Sequence, residues 1–331
     1  MTVAQAGARI STTTSVAARR AALPLIVGGA VAAPWLLDAY TISLGSYALV
    51  LGLLATSTHL LTTVAGLPSL GQGAYLIIGG YTAATASRTL TTNGPAQILV
   101  AVAVAAAAAA LVGVFATRTR GTTFLITTVA VGVLTQTLAS RAAPITGGDA
   151  GRIVGPVTLW PGTEPITRNG YLYLYALTCT IAVTAALALL LRTRFGLALR
   201  GAAEHEPRTR AAGHPTGGHL MLAYVIAAAI AGAAGALLVA TRHTIAPSDG
   251  GFVVSALALL AALLTTRTQT GALLGAVVIV ATRDLLAPSV LAGHAATLLG
   301  CLFLAAAAGR AAIRRRRPAE PDARTPAGRW Q

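Results

Sequence analysis

Lysine is missing from this sequence: all 24 basic residues are arginine, set against nine acidic ones. That absence excludes particular chemistries. A Walker A loop uses a Lys to hold nucleotide phosphates, and Schiff-base enzymes and carriers of retinal or pyridoxal phosphate use a Lys amine. The chain therefore has no P-loop with which to hydrolyse ATP. Charge of either sign is also scarce. Asp, Glu, Lys and Arg make up 10% of the 331 residues, against roughly 25% in an average soluble domain. So little charge cannot cover a soluble protein of this size, which excludes a cytosolic enzyme, a secreted binding protein and a disordered chain. Cysteine is nearly absent as well. Cys179 and Cys301 each lie in an apolar run and no CxxC occurs, so zinc ribbons and thioredoxin-like sites are excluded and both read as small buried hydrophobes.

What is present is apolar. Hydrophobic residues account for 55% of the chain and the mean hydropathy is +0.72. This predicts an all-α, polytopic membrane protein. Apolar runs place about ten transmembrane helices near 21–39, 43–64, 69–87, 95–117, 122–140, 171–191, 219–240, 252–266, 270–287 and 290–309, each close to the roughly 20 residues that span a bilayer. The basic start and the Ala-rich run before Pro34 mimic a signal peptide. Because the rest of the chain is equally apolar, the run reads as an uncleaved first helix.

Arginine placement orients these spans, since cytoplasmic loops collect positive charge. With the N-terminus in the cytoplasm, 18 arginines fall inside and six outside, while acids divide four inside and five outside. Net charge is then +14 inside and +1 outside, which predicts both termini in the cytoplasm. The resulting organisation is a cytoplasmic N-terminal tail (1–20), a transmembrane region (21–309) and a basic cytoplasmic tail (310–331). Two loops exceed a tight turn: an outer, Gly- and Pro-rich loop at 141–170, and an inner loop at 192–218 that predicts a short amphipathic helix before Pro207.

Chemistry-bearing residues are few within the spans. There is no HExxH, no GxSxG and no pair of carboxylates inside a span, so no catalytic residue, metal or cofactor is expected and the chain does not read as an enzyme. His59 reads as a hydrogen-bonded buried residue. His205, His214 and His219 in the inner loop read as solvated rather than as metal ligands. Transport through such a chain draws its energy from another subunit, or is not energised. Small residues recur at helical spacing (Ala228, Gly232 and Ala236; Ala231 and Gly235; Gly271 and Gly275), a pattern that lets helices approach closely in membranes. Residues 66–85 interrupt an apolar segment with Gly71, Gly73, Gly79 and Gly80 and carry Ser69, Gln72, Tyr75 and Tyr81. Such a segment either packs tightly through its glycines or lines a wet cavity, and physics leaves both open.

At this segment the sequence resembles the membrane permeases of branched-chain amino acid ABC importers of the LivM type. Gly66, Leu67, Ser69, Leu70, Gly71, Gln72, Tyr75, Gly79, Tyr81 and Ala83 match that family's Gly-Leu-x-Ser-Leu-Gly, Gln/His, aromatic, Gly-x-Tyr-x-Ala pattern. ITGGDAGRIVGP at 145–156 resembles its Thr-Gly-Gly-x-x-Gly-x-x-Gly outer loop, and the block from Arg192 to Leu237 resembles its inner loop and following helix. The resemblance implies a type II importer permease with a substrate pathway that includes Ser69, Gln72, Tyr75 and Tyr81. It further implies a coupling element that docks on an ATPase through Gly201, Ala202, Glu204, Glu206, Arg210 and Gly213. Implied partners are ABC ATPase subunits, a second permease subunit (homologous or identical), an extracytoplasmic substrate-binding protein and the lipid bilayer of a bacterial cell membrane, with no nucleic acid. Two departures stand out. Pro207 replaces a helix-compatible residue, so a shortened coupling helix is expected, and LTTRTQTGALLGA at 264–276 replaces a Gly-rich turn. Alternative expectations are a related importer permease for a sugar, nucleoside or urea, and a nonenergised membrane subunit or channel.

Overall fold

The computed structural model describes residues 28–159, 163–166, 168–211, Gly213, 215–264, 268–286, Thr297, Gly300, Cys301 and Leu304. The expected tail at 1–20, the start of the first expected helix, His214, Arg267, most of the expected tenth helix and the basic tail at 310–331 lie outside the described residues. The chain divides into two compact units, 1–280 and 281–331. The packing below concerns the first.

Helices dominate. After the helical stretch 28–36 (α1) come α2 (Ala39–His59), α3 (Gln72–Thr89), α4 (Gly94–Ala116), α5 (Gly121–Arg141), the single turn α6 (Ala143–Thr146), α7 (Asn169–Leu190), α8 (Arg194–Ala211), α9 (Thr216–Arg242), α10 (Phe252–Leu264) and α11 (Gln269–Leu286). Six helical stretches among the described residues are long and apolar enough to cross a membrane: 39–64, 94–116, 121–141, 169–190, 216–242 and 247–264. The last needs the 3-10 turn Pro247–Gly250 ahead of α10, because α10 alone has 13 residues.

The helix α4 shows how such a sequence packs. Pro95 opens it at a position where a missing N–H is harmless. Its buried positions, Gly94, Gln97, Ala101, Ala105, Ala109, Gly113 and Ala116, recur every three or four residues. All but Gln97 are small, while Leu99, Leu111 and Phe115 point outward. This inverts the soluble pattern, in which the large apolar side chains face the core. Where lipid is the solvent, large side chains face it and small ones let backbones meet.

The centre of the unit is α9, the most enclosed of the six stretches. It packs against α3 and α4. A Cβ on Gly79 would collide with the Gly232 backbone, and one on Gly235 with the Leu76 carbonyl. Ala236 packs with Ala83 and Ala101. The expected interruption of the third helix is thereby corrected. The helix α3 is continuous, and Gly79 and Gly80 are its contact surface, with Gly80 pressed onto Ile245.

Opposite ends of α9 carry different features. At its C-terminal end, Arg152–Ile153 (β1) pairs antiparallel with Thr244–Ile245 (β2), in the register Arg152↔Ile245. Thr158 pins the same loop by exchanging backbone bonds with Gly94 (2.8 Å) and Thr92 (2.9 Å). At the other end, α2 runs through a π turn, Leu60–Val64, to Gly66, whose φ of +71° turns the chain against Ala203 of α8. The helix α8 itself is kinked: His205 leaves helical geometry (φ −151°, ψ 84°) two residues before Pro207, whose ring lacks an N–H and clashes with the preceding turn.

Candidate functional site

The residues expected along a pathway cluster at the N-terminal end of α3 and along it. A non-helical segment, 67–71, leads into the helix. Ser69, Gln72 and Tyr75 are essentially inaccessible and Tyr81 is 8% exposed. Burial of this much polarity demands partners, and most come from elsewhere in the chain. The Ser57 hydroxyl lies 2.7 Å from both the Gln72 side-chain amide and the Ala227 carbonyl. A hydroxyl has one proton. That proton is shared between two acceptors, Gln72 Oε1 and the Ala227 carbonyl, while the Gln72 NH2 points to the Ser69 hydroxyl. The backbone N–H groups of Leu70 and Gly73 donate to Thr128 (3.2 Å) and Ser255 (3.1 Å). Thus α2, α5, α9 and α10 all anchor the start of α3.

One turn further, the hydroxyls of Tyr75 and Tyr224 are 2.8 Å apart. Their rings meet edge to face at 5.8 Å, and Phe124 packs on Tyr224 at 6.1 Å. Tyr81 lies midway along α3, where charges of Asp249, Arg152 and Asp149 act on its hydroxyl. Asp249 accepts the Ala246 N–H (2.8 Å) and sits 3.8 Å from Arg242. The Arg242 guanidinium lies 4.2 Å from the Tyr47 ring centre.

The residues expected to form a coupling element lie on α8 and just beyond it. The structure does not treat them alike. Ala202 is buried, in line with Gly196 and Leu199 on the face turned into the chain. Gly201 is half-buried beside Thr209, Glu204 and Arg210 are exposed, and Gly213 turns the chain with φ +83°. Glu206 is an anchor. Arg120, at the turn between α4 and α5, grips it with Nε at 2.9 Å from Oε2 and Nη2 at 3.1 Å from Oε1. The same guanidinium also donates to the Thr117 and Thr119 carbonyls. Arg210 and Thr216 reach Glu206 at 3.3 and 3.4 Å. The Arg120 hydrogen bonds, followed by the charges of Arg120 and Arg210, hold the Glu206 carboxyl below the usual glutamate range. Phe195 stacks on His219 at 6.0 Å, a second clasp between α8 and α9.

Sequence reasoning missed Ser57, Thr128, Tyr224, Ser255 and Arg120. Tyr224 and Ser255 sit in apolar runs without a motif, and Arg120 is 86 residues from Glu206. The only signal was that Gln72 and Glu206, if buried, would need partners of complementary type.

Six apolar helical stretches long enough to cross a membrane, with close backbone contacts between α3 and α9 at Gly79 and Gly235, define a multi-pass helical membrane protein. Residues 40–307 match the family described as branched-chain amino acid transport system / permease component. The chain belongs to that family. It is similar to the high-affinity branched-chain amino acid transport system permease protein LivM of Escherichia coli (strain K12) and to that of Salmonella typhimurium. Identity is 27% over 280 residues in each case, covering 78% of this chain and 66% of each relative. The chain thus spans slightly under two thirds of the length of these relatives. No solved structure matches it.

Proposed function

We propose that the chain is the membrane permease subunit of an ABC importer for branched-chain or other amino acids, energised by separate ATPase subunits. The observation that carries this reading is α8. It is an amphipathic, kinked helix at one end of the bundle, with one face seated on the chain through Gly196, Leu199 and Ala202. Its other face presents Arg194, Leu197, Arg200 and Glu204 outward. An exposed Leu197 among charges suits a docking groove, and flanking charges set register and approach more than affinity. Glu206 and Arg120 tie this helix to the α4–α5 turn, so a push on α8 reaches the spanning helices.

In this reading the chain has ten spans and both termini in the cytoplasm of a bacterial cell. It works with a second permease subunit, homologous or identical, and an extracytoplasmic binding protein. Alternating access moves the solute past the segment holding Ser69, Gln72, Tyr75 and Tyr81. The charge asymmetry supports the orientation, and the family supports the substrate class.

Because Ala202 faces inward, enlarging it would displace α8 itself, and the outward residues make the cleaner test. Co-purification with the ATPase and ATP-driven leucine uptake in proteoliposomes are the measurements. Leu197→Asp abolishes both while the permease still elutes as a single species. Retention of both in Leu197→Asp would remove α8 from the docking surface.

A further inference from the structure

The loop sequence TGGDAGR at 146–152 has so far only a structural place. Gly147, Gly148 and Gly151 adopt φ of +82°, +68° and +75°, values that side-chain-bearing residues rarely adopt. A Cβ on Gly151 would also run into the Ile245 carbonyl and Ala246. This tight fold sets Arg152 opposite Ile245, beside the turn that holds Asp249. Behind that turn stands Tyr81. Its hydroxyl is buried, meets no hydrogen-bond partner among the described residues, and lies within the fields of Arg152, Asp249 and Asp149. Buried hydroxyls are normally bonded, so an orphan calls for an explanation. The Arg152 guanidinium is half-buried and enters no ion pair or side-chain hydrogen bond among the described residues. Two donors near this turn, the Tyr81 hydroxyl and the Arg152 guanidinium, thus lack an acceptor among the described residues. Two carboxylates by the same turn lack a close cationic partner among the described residues: Asp149 is exposed and enters no ion pair there, and Asp249 has only the 3.8 Å approach of Arg242.

We propose that Tyr81, Arg152, Asp149 and Asp249 form a recognition site for a small zwitterion. The carboxylate of an α-amino acid accepts from the Tyr81 hydroxyl and the Arg152 guanidinium, and its ammonium donates to Asp249 and Asp149. Guanidinium–carboxylate contacts are among the stronger and more directional hydrogen bonds. A site that reads both charges disfavours a ligand lacking either, because one set of its groups would then stay unpaired. The proposal rests on the permease reading above and adds to it where, and by which groups, the solute is read at the loop end of the bundle.

The test is equilibrium binding of radiolabelled L-leucine to the full chain in lipid nanodiscs. Competitors are 4-methylpentanoate, which lacks the ammonium, and L-leucinamide, which lacks the carboxylate. Each analogue competes at least about tenfold more weakly than leucine, and Tyr81→Phe and Arg152→Gln each weaken leucine binding by about tenfold. Arg152→Lys, which keeps the charge, recovers part of the loss. Arg152 is half-exposed, so its variants keep the test sound if Tyr81→Phe proves unstable. Absence of leucine binding to the wild type, unchanged affinity in Arg152→Gln, or an analogue that competes as well as leucine overturns the proposal. ATPase co-purification and ATP-driven uptake by the wild type are recorded in parallel. Their persistence alongside a failed binding result confines the failure to this site, whereas their absence sinks the permease reading itself.

Discussion

Arg120 and Glu206, 86 residues apart, form a two-point ion pair with contacts of 2.9 and 3.1 Å. The pair joins the α4–α5 turn to the kinked end of α8. Both side chains remain partly solvated, at 36% and 25% exposure, so the link is worth about 1 kcal/mol or less. That is too little to hold the fold together. It is enough to bias the position of a helix already weakened by the break at His205.

The first prediction is a pH dependence of that link. The Glu206 carboxyl is held below its ordinary range by Arg120, so folding favours its charged form. Stability gained this way is fully present above the unfolded glutamate value and is lost as pH falls through the lower folded value. Limited proteolysis after Arg208 and Arg210 should accelerate as pH drops below the usual glutamate range. Glu206→Gln should cleave faster at neutral pH and lose the pH dependence. A wild-type cleavage rate that is flat across this range would remove the ion pair from control of α8.

The second concerns the crossing of α3 and α9. Any side chain at Gly235 meets the Leu76 carbonyl, a backbone atom that cannot swing aside. Gly235→Ala should destabilise the protein by about 1–3 kcal/mol through overpacking. Gly217, in the first turn of the same helix, has nothing within 4 Å of the place where a methyl group would stand, and Gly217→Ala should leave thermal stability unchanged or slightly raised. Size-exclusion profiles after heating in detergent make the comparison, and equal melting of the two variants would contradict the close crossing.

Orientation supplies the third. In the proposed ten-span arrangement, eighteen arginines lie on one side and six on the other. In a background with Cys179 and Cys301 changed to Ser, Glu204→Cys should react with a membrane-impermeant maleimide only from the cytoplasmic side. Glu164→Cys should react only from the opposite side. Labelling of both from one side would break the arrangement, since α7 and the loop before it separate these positions.

How much of this was legible beforehand depends on where each signal resides. The apolar runs and their spacing are local, so the helices among the described residues were readable to within a few residues, while six of them are long and apolar enough to cross a membrane. The kink in α8 was readable too, because Pro207 acts on the residues just before it. Glycines misled. In water Gly79 and Gly80 would weaken a helix, and nothing in the sequence pairs them with Gly232 and Gly235, which make bare backbone the better surface there. The small-residue spacings on α9 carried that information, but an Ala-rich chain produces such spacings everywhere. The polar partners were the least legible. Ser57 reaches Gln72, Tyr224 reaches Tyr75 and Arg120 reaches Glu206 only after the helices have packed, and none of them carries a mark in its own neighbourhood.

The last prediction separates packing from transport at the start of α3. Gln72 is buried against Ser57 and Ser69, and Ser57 also holds the Ala227 carbonyl. Gln72→Leu removes an amide of similar size and leaves two hydroxyls with fewer partners, a loss of about 1–3 kcal/mol for a buried unsatisfied group. Ser57→Ala removes only the hydroxyl and frees the Ala227 carbonyl, which α9 already engages in its own helical bonding, so its stability loss should be smaller. If the cluster is packing alone, uptake should track stability, and Ser57→Ala should transport better than Gln72→Leu in proportion to the folded protein present. If the pathway runs past Gln72, uptake per folded molecule should fall in Gln72→Leu and recover in Gln72→Asn or Gln72→His, which restore a polar group. The measurement is ATP-driven leucine uptake normalised to monodisperse permease. Normal uptake per folded Gln72→Leu molecule would assign this residue to packing and leave Tyr81, midway along α3, as the part of the segment proposed to meet solute.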